Sequence, residues 1–270
     1  MKKSSLTEGN IGKALLFFVL PIIAGSLIQQ LYTTVDAVIV GQFTGKTGLA
    51  AIDSVHTLFK FPINFMNGLA AGATIIISGY FGAKEKEGLH CAVRTALLVA
   101  FFLGIICSVG GVLLSPWLLD VMAVPGEVRG DSLGYCRIYF AGLWAMILYN
   151  MMAGILRAFG DSKRPLYVLV ICAVVNIAGD LLLVGGFHLG VGGAAAATVL
   201  SQIVSAAAMW FLLMRNLARK DEGLQGAYGN DDPKGLSARA AVNAVSDRQF
   251  DRAGKRQYNG NGQHRGLGHL

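Results

Sequence analysis

Long runs of apolar residues, separated by short polar clusters, organise this chain from Ala14 to Met214. Six runs can be drawn, each to within a few residues: 14–40, 47–81, 91–119, 132–156, 166–187 and 191–214. About twenty predominantly apolar residues are enough for a helix to cross the hydrocarbon core of a bilayer. The runs are continuous rather than alternating, which predicts membrane helices and not barrel strands. The second run contains Pro62 and exceeds what a bilayer needs, so it must tilt, kink or protrude. Small residues recur within the runs. Gly68 and Gly72 form one GxxxG pair, Gly186 and Gly190 form another, and Ala194 to Ala197 open the sixth run. Such residues let helix backbones approach closely in lipid and predict a packed bundle. After Asn216 the pattern ends. Residues 217–270 contain no apolar run and are rich in Gly, Asn, Gln, Asp and Arg. Such a stretch buries no core and is expected to be disordered. The sharp switch suggests a truncated or frameshifted reading. The expected organisation is a six-helix unit over 1–216 and a polar tail over 217–270.

Composition supports the membrane reading. Hydrophobic residues make up 54% of the 270, and charged residues only 14%. A soluble domain carries about a quarter charged residues. The net charge of +7 comes from cations placed in short clusters between the apolar runs. Lys2, Lys3 and Lys13 precede the first run, and Lys84, Lys86 and Arg94 follow the second. Arg157, Lys163 and Arg164 follow the fourth, and Arg215, Arg219 and Lys220 follow the sixth. All of these fall on one side if the runs alternate in direction. The opposite side offers little beyond Lys46 and Arg129. Cytoplasmic loops carry the excess of Lys and Arg. This predicts a multi-pass protein of the plasma membrane with both ends of the six-helix unit in the cytoplasm. Lys2 and Lys3 before an apolar run are also how a signal peptide begins, but the run is too long, so a retained first helix is expected. Lipid, not nucleic acid, is the expected partner of these cations. The four cysteines form no CxxC pair, and the chain has no HExxH, Walker loop or Ser/His/Asp arrangement. Neither an enzyme nor a bound cofactor is expected.

Within this apolar sequence, Asn176 and Asp180 stand out in the fifth run. Four residues apart, they share one helix face. A carboxylate at the centre of a membrane helix costs about 2.5–3.5 kcal/mol on insertion scales, and such groups usually face a bundle interior. At 1.5 Å per residue, Asp180 lies roughly 10 Å below the outer surface. Thr198 in the sixth run and Tyr139 in the fourth fall at similar depth, and Asp36 in the first lies somewhat higher. Five polar groups from four helices thus share one layer. Two carboxylates with amide, hydroxyl and phenol oxygens suit a small hard cation such as Na⁺. They suit a proton equally well, because two adjacent carboxylates resist carrying two charges. Each residue also has a plainer reading: Asp36 and Tyr139 at the interface, Asn176 at a helix contact, and Thr198 bonded back to its own helix. Asp53, His56 and Lys60 form a second polar group, in which Lys60 either snorkels or pairs with a carboxylate across the bundle.

Several stretches, in order, resemble the multidrug and toxic compound extrusion (MATE) transporters. LPIIAGSLIQQLYTTVDAVIVGQF is similar to the family's first helix, and GLAAGATIIISGYFGAK to the end of its second. GILRAFGDSKRP resembles the loop after the fourth, while NIAGDLLLV and GGAAAATVLSQ resemble the fifth and sixth. The likeness covers about 6–216. It implies an all-α membrane protein in which six transmembrane helices form one lobe of a twelve-helix transporter. It further implies export of organic cations and other amphipathic compounds, driven by entry of Na⁺ or H⁺. It assigns the cation site to Asp36, Asn176, Asp180 and Thr198, cavity positions to Tyr139 and Gln30, and a bend of the first helix to Pro21. Only one lobe is present, so activity would require a second lobe or a second copy. The competing readings are a flippase for lipid-linked precursors, which would want a more cationic cavity, and a membrane fragment that transports nothing.

Overall fold

The computed structural model of the chain describes residues 11–227. The first helix, α1 (Ile11–Gly82), is 72 residues long. Straight, it would extend about 110 Å, against a hydrocarbon core of about 30 Å. It is not straight. At Gly45 the backbone takes φ 71° and ψ −167°, a region open essentially to glycine alone. Phe59, beyond that break, stacks on Tyr139 with ring centroids 4.1 Å apart. Asp36, before the break, lies within electrostatic reach of the same Tyr139. On a straight helix Asp36 and Phe59 would stand about 35 Å apart. The helix therefore doubles back at Gly45, and its halves, 11–44 and 46–82, cross separately.

The remaining elements are α2 (Lys86–Val121), α3 (Gly126–Ala158), α4 (Lys163–Asp180), a π-helical turn (Leu181–Gly186) and α5 (Gly190–Ala227). Five helices of the described residues are long and apolar enough to span a membrane, with α1 counted once; the break at Gly45 divides α1 into two. The described residues hold no strand. The all-α membrane lobe expected from the apolar pattern is what the chain forms. α5 remains helical to Ala227, past the boundary expected at 216; Leu217 to Ala227 contain no proline, and the isolated Gly223 and Gly226 are tolerated within a helix. The rest of the expected tail lies outside the described residues.

α3 is the hub, packing against α1, α2 and α5. In its most apolar stretch 56% of residues are buried, against 6% in that of α1. Large apolar side chains such as Phe17, Phe61, Leu113, Trp117 and Phe211 point outward. On a soluble domain so much exposed apolar surface would drive association; lipid solvates it here.

Close helix approach depends on glycines other than the GxxxG pairs. A Cβ on Gly111 would meet the Phe140 ring at 2.1 Å, and one on Gly142 would meet Val199 at 2.4 Å. These pack α2 and α5 onto α3. Gly68 and Gly72 face open space, as does Gly190, while Gly186 meets only its own turn. Spacing alone therefore misplaces the close contacts. Gly68 and Gly72 lie on a face of α1 that no other helix of this lobe covers.

Three helix ends close in the same way. Lys84, Ala123 and Gly160 adopt left-handed backbone conformations. After α3, the Gly160 N–H donates to the Arg157 carbonyl at 2.9 Å, and the Asp161 N–H to the Leu156 carbonyl at 3.0 Å. This paired-bond cap fixes the turn that carries Arg157 and Ser162.

A buried oxygen cluster beside a polar cavity

Asp180 is the last residue of α4 and is fully buried; Asn176, one turn earlier on the same face, is also buried. Asp36, from the first half of α1, has its carboxyl against that of Asp180. Oδ1 of Asp36, Oδ1 of Asn176 and both carboxylate oxygens of Asp180 are buried without a hydrogen-bond partner. Neither acid makes an ion pair with any described residue. Buried acceptors left unpaired are uncommon and each costs about 1–3 kcal/mol. Four in one place form a ligand set for something that supplies positive charge.

Thr198, on α5, completes the neighbourhood in two ways. Its hydroxyl donates to the Ala194 carbonyl at 3.0 Å. It also accepts from Asn176 Nδ2 at 3.4 Å. The back-bond to its own helix is real, and it coexists with the contact to Asn176. That contact occupies the amide nitrogen and leaves Asn176 Oδ1 unpaired. The π-helical turn starts at the residue after Asp180, and such turns recur at functional sites.

Tyr139 stacks on Phe59 and on Tyr135, whose ring centroid is 5.9 Å away. Its hydroxyl donates to Met146 Sδ at 3.9 Å. Tyr135, one turn earlier on α3, is buried and within electrostatic reach of both Asp36 and Asp180. Sequence reasoning passed over Tyr135. The signal that could have found it is its four-residue spacing from Tyr139, which places both on one helix face.

Next to the oxygens lies a cavity of about 130 Å³, bounded by the first half of α1, α3, α4 and α5. Its lining includes Pro21, Gln29, Tyr32, Arg157, Cys172 and Gln202. Gln29 lines it and Gln30 does not. Successive helical residues point about 100° apart, so adjacent glutamines cannot share one face. Tyr139 also stays out of the lining, because its ring is engaged by Phe59 and Tyr135. Helical dihedrals continue through Pro21, and Gly45 is the one break within α1. Lys60 is exposed, as are Asp53 and His56, and makes no ion pair with a described residue. It does not reach across the bundle to a carboxylate, because its face of α1 points away from the other helices. No group of three or more His, Cys, Asp or Glu among the described residues has metal-binding geometry.

The cavity and the oxygens are stacked. Tyr32 precedes Asp36 by one turn on α1, Cys172 precedes Asn176 by one turn on α4, and Gln202 follows Thr198 by one turn on α5. Three helices therefore each contribute to both places, about 6 Å apart along the bundle. A shift of any one of these helices alters both at once.

Comparison with known proteins gives the family. The MatE family model matches residues 21–182. The "Probable multidrug resistance protein YoeA" of Bacillus subtilis is 34% identical over 223 residues, covering 81% of this chain and 47% of that protein. The "Multidrug export protein MepA" of Staphylococcus haemolyticus is 26% identical, covering 80% of this chain and 47% of its own length. Among solved structures, a MOP superfamily transporter from Pyrococcus furiosus superposes with TM-score 0.73 at 29% identity, covering 79% of this chain and 47% of that one. A MATE crystal structure in the bent conformation superposes with TM-score 0.70 at 29% identity, covering 74% and 45%. The chain spans about half the length of the relatives it matches. With a family model that matches most of the membrane region, and with the fold of one MATE lobe, the chain belongs to the MatE family of multidrug and toxic compound extrusion transporters.

Proposed function

We propose that this chain is one lobe of a cation-coupled antiporter that exports organic cations and other amphipathic compounds across the plasma membrane. In this reading both ends of the six-pass unit are cytoplasmic. The observation that carries it is the set of four buried, unpartnered oxygens on Asp36, Asn176 and Asp180. Na⁺ or H⁺ entering from outside neutralises the acid pair and gives those oxygens the partner they lack. Thr198 holds Asn176 in place, and Tyr135 and Tyr139 wall the site. Ion and drug must favour different arrangements of the lobe for coupling to exist. The one-turn stacking of oxygens and cavity on three shared helices supplies a physical route. Pro21 has no N–H to donate to the Phe17 carbonyl, which weakens α1 at that turn. The first half of α1 therefore bends there most easily, and it carries both Tyr32 and Asp36. A working cavity needs a second lobe or a second copy for its other wall.

The test is ethidium efflux from cells expressing the chain, compared with Asp36→Asn and Asp180→Asn. Loss of efflux in both variants is expected. Efflux that survives the double change removes the ion site. Background efflux from the unaltered chain assigns it instead to a membrane fragment that does not transport.

A further inference from the structure

The cavity differs in charge from the acid pair stacked one turn away. Its lining holds one ionic group, the guanidinium of Arg157, and no carboxylate. Arg157 is half-buried in the last turn of α3. It makes no ion pair among the described residues. The acid closest to it in sequence, Asp161, is taken by Arg164, which binds it through Nε at 3.1 Å and through its backbone N–H at 3.2 Å. The Schellman cap at Gly160 fixes the turn around Arg157. Neutral polar groups on Ser162, Asn150, Tyr149 and Gln202 share the cavity, together with the apolar walls of Leu166 and Leu169. A guanidinium presents a rigid fork of donors that matches carboxylate and phosphate. Pockets for whole drug-sized molecules usually measure about 300–1,000 Å³. This one is smaller, so it takes one end of a molecule.

We propose that this cavity is an anion subsite, in which Arg157 receives the carboxylate or phosphate of an amphipathic ligand whose apolar part lies along Leu166 and Leu169. It rests on the transporter reading for its purpose and not for its chemistry. It narrows the substrate class toward compounds that carry an anionic group, alone or beside a cation. A lipid headgroup offers the same chemistry as a free organic acid.

Binding by the full chain in phosphatidylcholine nanodiscs tests this directly. The probes are 2-naphthoate, 2-naphthyl phosphate and the uncharged 2-naphthamide. The two anions are expected to bind about tenfold or more tighter than the amide, since charge-assisted hydrogen bonds are the strong ones. Arg157→Gln should erase that difference. Arg157→Lys, which keeps the charge and loses the fork, should retain part of it and covers the case in which the glutamine variant does not fold. Equal affinity for naphthoate and naphthamide, or naphthoate binding indifferent to Arg157, overturns the proposal. Repeating the titration in phosphatidylglycerol nanodiscs separates the sources. Suppressed naphthoate binding there upholds the anion site with lipid as its occupant, and unaltered binding upholds it for a soluble acid. These outcomes do not depend on Asp36 or Asp180, so failure of the ion-coupling reading leaves them readable.

Discussion

Asp180 brings two carboxylate oxygens into the bundle, and neither meets a donor. Asp36 lies against it, so the half-buried acid and the fully buried one set acceptor against acceptor. Such an arrangement stabilises nothing by itself and has the character of a site held ready for an ion. Replacing Asp180 by Asn keeps the shape, removes a charge and adds an N–H facing Asp36. The Asp180→Asn protein should therefore be more stable, by about 1–2 kcal/mol, while its efflux is lost. Thermal unfolding in detergent checks this, and a lower midpoint than that of the unaltered chain would count against the cluster as drawn. Asp180 and Asn176 were legible as a pair because four residues is one helical turn. Gln29 was not distinguished from Gln30, since two adjacent glutamines in an apolar run look alike until the helix is set at an angle against its neighbours.

At the scale of elements, helix packing rests on single positions. Gly111 and Gly142 sit where neighbouring side chains leave no room for a methyl group. Gly111→Ala should destabilise the fold by about 1–3 kcal/mol through overpacking against Phe140. Gly68→Ala should do the reverse, gaining up to about 1 kcal/mol of helix propensity, because open space surrounds Gly68. Midpoints measured side by side decide it; equal loss in both variants would mean that α1 is covered at Gly68 after all. The GxxxG spacing points to Gly68. Periodicity identifies which residues share a face of their own helix, and the partner on that face is a separate matter. Gly45 illustrates the same limit. The first two apolar runs were separable in the sequence, yet the backbone stays helical up to a single glycine in a conformation that other residues avoid.

Across the whole lobe, one polar face remains uncovered. Asp53, His56 and Lys60 lie exposed on the second half of α1, among apolar residues such as Phe61 and Phe65. Ionisable groups at membrane depth almost always face protein or a water-filled cavity. Lys60→Cys should therefore react with a membrane-impermeant maleimide in the full chain, whereas a neighbouring Phe61→Cys should not. Equal resistance of both would place this face against lipid. The class of this protein is already legible in its residues: long apolar runs satisfy their backbone groups in lipid as helices, and the lysines and arginines between them mark the turns. The acids are legible there too, because a carboxylate within such a run is conspicuous. Which polar groups meet is a matter of packing. The contact of Asp36 with Asp180, the burial of Tyr135 and the carboxylate-free cavity around Arg157 all depend on how α1, α3, α4 and α5 are rotated against one another. That rotation follows from packing between helices distant in the chain, such as Gly142 beneath Val199, and a one-dimensional pattern of apolar residues does not contain it.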